Sequence, residues 1–439
     1  MKKNRPDLFR SLISFSIAMI LSTALNLSST ALNLSSTAVA FAQPLDRLLS
    51  EGERHFAARR YFQAIEAFEK ALVSADEGAQ PKVKKNLASA YGGLGTEYFN
   101  AGESRLAEET FRRGLEYADN YYSHFGLGYL YFLRMEDAAA LKHLEAALDG
   151  RRQFGRTHKL LALLEYRQGF TKKSLGRLDE ANRLDPSDLE TAALLRRWRV
   201  ELKFLKNSRE VTTSHFLLRV DREISERSRE KIVAELERAH DEIGDGLGVW
   251  PRQRVPVVLF TEANFHEATG SYHWVGGMYD GQLKMPVPKG DLKSEKALGE
   301  VRAATRHEYT HVLVHHLAPE CPVWLNEGIA QHFEGPVDRG EITQRLRKGR
   351  ERMIPFHKVP SRLWAVEDVE LARWSYLQGL GFVEYLVLRY HEFRLRLLLA
   401  AIARDHSLAT AFEGTYGKTL EALEKAWWQD VTGKPPDEG

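Results

Sequence analysis

Two histidines four residues apart flank a glutamate in His-Glu-Tyr-Thr-His at His307–His311, and Trp-Leu-Asn-Glu-Gly follows at Trp324–Gly328. Side chains at i and i+4 lie one above the other on a helix face, so both imidazoles can grip one cation from one side. Glu308 stands beside them as a base for an attacking water. A catalytic zinc takes three protein ligands and keeps one position open, and Glu327 is the candidate for the third. The segment Glu300–Leu317 is apolar on one face and free of Pro and Gly, so it reads as a helix. Pro319 and Pro322 break the chain, and Trp324–Phe333 reads as a second helix. An antiparallel pair with a short turn would bring Glu327 back over His311. The expectation is one zinc ion per chain on His307, His311 and Glu327. The alternative is a surface His/Glu helix with a core tryptophan after it.

The spacing also sorts the zinc chemistries. A metzincin continues as HExxHxxGxxH, and this chain has Val314 and Leu317 at the Gly and third His positions, which excludes that class. A glutamate third ligand on a following helix resembles the gluzincins, and Trp324–Ala330 resembles the corresponding string of the M1 aminopeptidases. Overall the chain resembles the gluzincin families called peptidase MA-like, which place this domain in bacterial exported proteins, often beside helical repeats. The resemblance implies that His307, His311 and Glu327 are zinc ligands and Glu308 the general base. Ser375-Tyr376-Leu377-Gln378-Gly379 resembles the Ser-Tyr-x-Lys-Gly string of M1 enzymes, which implies that Tyr376 stabilises the oxyanion, a donor that the chemistry needs. Tyr376 is expected to begin an apolar helix running to about Tyr390, and its other reading is an amphipathic core residue. Gly276-Gly277-Met278-Tyr279-Asp280 resembles the Gly-Ala-Met-Glu-Asn strand that lies along the substrate backbone in M1 enzymes. Gly276, Gly277 and Met278 are thereby candidate substrate-binding residues; a hairpin strand with Gly for close packing is the alternative. Tyr279 replaces the glutamate that binds a free amino terminus in those enzymes. That departure favours cleavage inside a chain over aminopeptidase action.

At 439 residues two or three domains are expected. Hydrophobic content of 43% with 28% charge is ordinary for a globular protein. Lys2, Lys3, Arg5 and Arg10 against Asp7 account for more than the formal net charge of +2, so the rest of the chain is nearly neutral. Nothing in that balance points to nucleic acid or an anionic membrane. The single cysteine, Cys321, excludes an internal disulfide, and it could be a fourth ligand only in a closed, non-catalytic site. Residues 1–42 read as a secretory signal: a basic start, the short apolar run Leu12–Leu21, and Ala40-Phe41-Ala42 before Gln43. The heptapeptide at Ser22–Ser28 recurs at Ser29–Ser35. The expected location is therefore periplasmic or secreted, with an uncleaved membrane anchor as the alternative.

Residues 45–206 carry a repeat near 34 residues long. A small residue is followed by an aromatic at +3, an alanine at +12 and an aromatic or large residue at +16. The units are Gly52, His55, Ala64, Phe68, Ala71; then Gly95, Tyr98, Ala107, Phe111, Gly114; then Gly128, Tyr131, Ala140, Leu144, Ala147. A weaker fourth is Ala162, Glu165, Ser174, Arg177, Ala181, closing with Asp185-Pro186. This resembles the tetratricopeptide repeat, with an insertion around Ala75–Lys82 and a capping helix at Leu189–Leu205. Such a resemblance implies a protein partner or a substrate in the concave face; a plain stalk is the alternative.

The boundary is expected at Ser208–Glu210. Beyond it come a strand at Phe216–Val220, a helix at Ser225–Leu247, a strand at Val255–Phe260 and a hairpin around Trp274–Val287. The zinc helices follow, and Trp364–Trp428 reads as helical. Arg339–Arg352 reads as a solvated helix or loop. The fold expected is an all-α tetratricopeptide-type solenoid over 45–206 followed by an α+β zincin-like domain over 209–432. The function expected is an exported zinc metallopeptidase hydrolysing internal peptide bonds. The rivals are an aminopeptidase with another amine anchor and a catalytically silent repeat-based adaptor. His315 and His316 are expected behind the site or at the surface.

Overall fold

A computed structural model describes residues 44–150, 154–270, 276–288, 292–360, 369–405 and 407–433. The signal reading of residues 1–42 lies outside the described residues. Two compact units form, one ending at Ala90 and the other running Tyr91–Gly439. No helix among the described residues is long and apolar enough to cross a membrane.

The repeat helices are α1 (Leu45–Ala57), α2 (Tyr61–Ser74), α3 (Gln80–Asn100), α4 (Ser104–Tyr117), α5 (Tyr121–Leu133), α6 (Asp137–Gly150), α7 (Gly155–Arg167) and α8 (Thr171–Leu184), closed by α9 (Leu189–Leu205). The small residues of the repeat lie where two helices must touch. In the first unit Gly52 backs onto the ring of Phe68. In the second, Gly95 and the following helix's Gly126 grip the two ends of the Phe111 ring, and in the third Gly128 backs onto Leu144. A methyl group at any of these would collide with the side chain that fills the gap, which is why the spacing is legible. The fourth unit replaces the aromatic contact with charge: buried Glu165 pairs with Arg177 at 3.3 Å and Lys173 at 2.9 Å.

The chain then enters a five-stranded mixed sheet of order β1-β2-β3-β5-β4: β1 (Ser208–Thr212), β2 (Phe216–Asp221), β3 (Val255–Thr261), β4 (Met278–Tyr279) and β5 (Leu283–Val287). β2, β3 and β5 run parallel, while β1 and β4 pair antiparallel at the two edges. The segment expected to be a boundary, Ser208–Glu210, is thus the start of an edge strand. The expected hairpin is β4–β5; Trp274 lies outside the described residues. Helix α10 (Glu226–Leu247), capped by Ser225, and α11 (Glu262–Thr269) fill the crossovers.

Every residue of β3 is buried, as in a strand covered on both faces. One face carries Leu218, Val257, Leu259, Leu283 and Met285 against Ile232, Leu236 and Ile243 of α10. The other carries Val258 and Phe260 against Leu205 and Leu202 of α9 and Phe265 of α11. The helix that ends the repeats therefore also covers the sheet. The remaining helices are α12 (Glu295–Leu317), α13 (Val323–Glu334), α14 (Arg339–Lys348), α15 (Val369–Tyr390), α16 (Phe393–Asp405), α17 (Leu408–Tyr416) and α18 (Leu420–Thr432). Of the expected helical stretch Trp364–Trp428, residues 361–368 lie outside the described residues.

Candidate metal centre

Helix α12 begins at Glu295, a turn and a half before the expected start, because Ser294 caps it by accepting from the Ala297 N–H and Gly299 is tolerated inside. Its inner face sends Tyr309, Val312 and Leu313 into the core. The opposite side carries His307 and His311. The five residues Ala318–Pro322 turn the chain, and Pro322 sits at the N-cap of α13. Helix α13 is drawn against α15 at glycines: a methyl group at Gly328 would press on the Gly379 carbonyl, and one at Gly379 on the Trp324 carbonyl. That close approach sets the depth of α13 and of Glu327 on it.

His307, His311 and Glu327 converge. The two Nε2 atoms are 3.2 Å apart, and Glu327 Oε2 lies 3.5 Å from His307 Nε2 and 3.7 Å from His311 Nε2. Tetrahedral zinc with ligands at about 2.0–2.1 Å needs donor atoms roughly 3.3–3.4 Å apart, so this set fits the ion. Among the described residues this is the group of three that could hold a metal. Cys321 is not in that group; its buried thiol is pushed up and rests near the Pro322 carbonyl.

Two further acceptors orient the imidazoles. His311 Nδ1 is 2.9 Å from Asn326 Oδ1, and His307 Nδ1 is 3.3 Å from Glu334 Oε2. A proton on each Nδ1 donates to these oxygens and leaves each Nε2 lone pair facing the shared point. Asn326 is in the quoted string, and Glu334 lies seven residues after Glu327 on the same helix face, yet neither was assigned a role from sequence. Burial pushes His307 down, but Glu327 and Glu334 outweigh it and lift it to about 10 without metal. Burial alone would lift Glu327, and His311 and His307 bring it below the usual carboxylate range.

Glu308 is 7% exposed and is raised, chiefly by burial, with the histidines opposing and Glu327 and Glu334 adding to the rise. The strand before it approaches closely: Gly277 is buried against the Glu308 side chain, and a methyl group there would collide with Cγ and Cδ. Gly276 is exposed beside it, and Met278 packs against the cluster of Val258, Phe260 and Phe265. Tyr279 does not reach the metal group as a ligand; its ring sits edge-on to His315 at 5.5 Å. Burial lowers His315 to about 4, so it is a neutral packing partner rather than a surface group.

Tyr376 lies inside α15, seven residues from its start, not at a helix start. The helix starts at Val369, with Glu370 paired to Arg373 on its exposed face and Ala372 buried. The Tyr376 hydroxyl is raised chiefly by burial, with the charges of Glu327 and Glu308 adding to the rise. Gln378, at the lysine position of the M1 string, is buried and accepts from the Ile354 N–H at 3.1 Å. It holds a loop rather than facing the cleft.

Residues 292–433 match the family model described as Peptidase MA superfamily, so this part of the chain carries a peptidase domain, and its His/His/Glu set suits a metallopeptidase. The match takes in α12 to α18 and leaves the sheet and the repeats outside it. No curated protein matches the chain. Among solved structures, the chain is similar to "MamA D159K mutant 1" at 19% identity, over 36% of this chain and 88% of that one, with a TM-score of 0.26.

Proposed function

We propose that this chain is an exported zinc-dependent metallopeptidase of the gluzincin type that cleaves peptide bonds within a chain. The observation that carries the reading is the convergence of His307 and His311 Nε2 with Glu327 Oε2 at 3.2–3.7 Å, with Glu308 buried beside them. Bound zinc would supply Lewis acidity, lowering the pKa of water towards ~7 and polarising a carbonyl. Glu308 takes a proton from the attacking water and returns it to the leaving amine. Its raised affinity for protons, from burial, suits it to both transfers. Tyr376 would donate to the developing oxyanion.

Gly277, in the extended segment that leads into β4, lies against Glu308, and the backbone of that segment suits antiparallel pairing with an extended peptide. What supports internal cleavage is Tyr279: a neutral phenol packed on His315 stands where an exopeptidase needs an anion for a free amine. Export rests on the basic, apolar and small-residue order of residues 1–42. The repeats suit a protein partner or the body of a protein substrate.

Replacing Glu308 by Gln should leave one zinc per chain while casein hydrolysis falls by ~10²–10⁴-fold. Metal analysis beside the protease assay reads both. Full hydrolysis by that variant would sink the reading. Blocking the amino terminus of a peptide substrate should leave its cleavage rate unchanged.

A further inference from the structure

A charged cluster lies buried between the last repeat and the sheet. Strand β5 alternates, so Leu283 and Met285 enter the core while Lys284 points to the opposite face. There its ammonium is fully buried and donates to Tyr166 Oη at 2.5 Å, Glu201 Oε2 at 2.7 Å and Asp280 Oδ2 at 2.9 Å. Tyr166 lies in the last turn of α7, the first helix of the fourth unit, and Glu201 belongs to the capping helix α9. Tyr166 also donates to Glu201 at 2.7 Å and stacks on Trp198 at 3.8 Å. Arg197 of α9 pairs with Asp280 at 3.0 Å, so two cations balance two anions. Two residues before Lys284, the β4–β5 turn is pinned again. Gly281 adopts φ +105° beside Arg167, and buried Gln282 donates to the Tyr166 carbonyl at 2.8 Å and to Thr171 Oγ1 at 3.2 Å.

The turn so pinned carries β4. Met278 pairs with Lys284 itself, and Gly277, the next residue back, lies against Glu308. We propose that Lys284 is a positioning residue, through which the last helical repeat and its cap hold the substrate-side strand against the catalytic base. The fourth repeat and its cap are then a structural part of the catalytic domain and not an appended module. The choice of a charge here has a physical logic. A buried ion pair stabilises little, because desolvation offsets attraction, but it accepts only one partner geometry. Apolar packing would tolerate a hairpin slid along α9; the Lys284–Glu201 pair does not.

This inference rests on the metallopeptidase reading for its catalytic consequence, and hydrogen exchange tests it independently of that reading. The variants are Lys284→Met with Glu201→Gln, which leaves no unpaired charge on either residue, and Tyr166→Phe, which removes one hydroxyl. Both are made in the full chain loaded with zinc. Expected are an unchanged zinc content and at least tenfold faster amide exchange confined to residues 276–284. For a peptide substrate KM should rise about fivefold or more with kcat within about twofold, the signature of lost binding shared by the ground and transition states. If the double variant fails to fold, Tyr166→Phe should show the same local exchange change to a smaller degree. Folded variants whose hairpin exchanges as slowly as the parent's would overturn the proposal. A parent protein that hydrolyses no peptide would remove the metallopeptidase reading, while the exchange result would still decide the role of Lys284.

Discussion

Asn326 shows how little separates a ligand from a bystander. Its neighbour Glu327 reaches the metal point, while its own amide oxygen, 2.9 Å from His311 Nδ1, fixes which ring nitrogen keeps a lone pair. Asn326→Ala should therefore weaken zinc affinity by about 10–100-fold without unfolding the chain, as chelator competition would show. Gly277 acts through absence: no side chain fits between the strand and Glu308. Gly277→Ala should lower kcat/KM by at least about tenfold through displacement of the base or the strand, with zinc content retained. An alanine variant of parental activity would mean that the strand yields and does not border the reacting groups.

At the scale of elements, the two ligand helices are braced from behind. Arg306 of α12 donates to the Phe333 carbonyl at 2.6 Å, tying α12 to the end of α13. His332 of α13 is held by Glu384 of α15 at 2.5 Å and by Glu392 at 3.2 Å, with Arg339 completing the network. Burial pushes His332 down, but the two carboxylates outweigh it and raise it to about 9. A folded-state value above the ordinary 6.5 means that this stabilisation is complete below pH 6.5 and is lost as pH rises through about 9. Thermal melts across that window should show the parent losing stability, and His332→Gln should flatten the slope. An equal slope in both proteins would remove His332 from the account.

At the scale of the molecule, the capping helix serves two cores. Leu195 and Trp198 close the repeats, while Leu205 with Leu202 covers Val258 and Phe260 of the sheet. A chain of residues 207–439 would expose that apolar face and leave Lys284 without Glu201. It should lack a cooperative thermal transition, whereas a chain beginning at residue 155 should keep one; circular dichroism separates them. A cooperative melt from the shorter chain would show that the sheet does not need the repeats. Helix α9 was legible as a cap for the solenoid, since its length and periodicity say so. That it also roofs a sheet was not.

Local rules determined much of this protein in advance. The i, i+4 histidines, the prolines at 319 and 322, and the 34-residue recurrence of small and large residues each act within one turn or one helix pair, so periodicity exposes them. Strand β1 and helix α11 are short, and short elements owe their form to partners far along the chain rather than to their own pattern. Tyr376 was expected to begin its helix, yet α15 starts seven residues earlier at Val369, inside the stretch Trp364–Trp428 that read as helical. Only the tertiary structure decided the depth of Glu327, set by two glycines on different helices, and the partners of Lys284, drawn from residues 83 and 118 positions away. A buried charge is chosen by the geometry that closes around it, and no window of sequence contains that geometry.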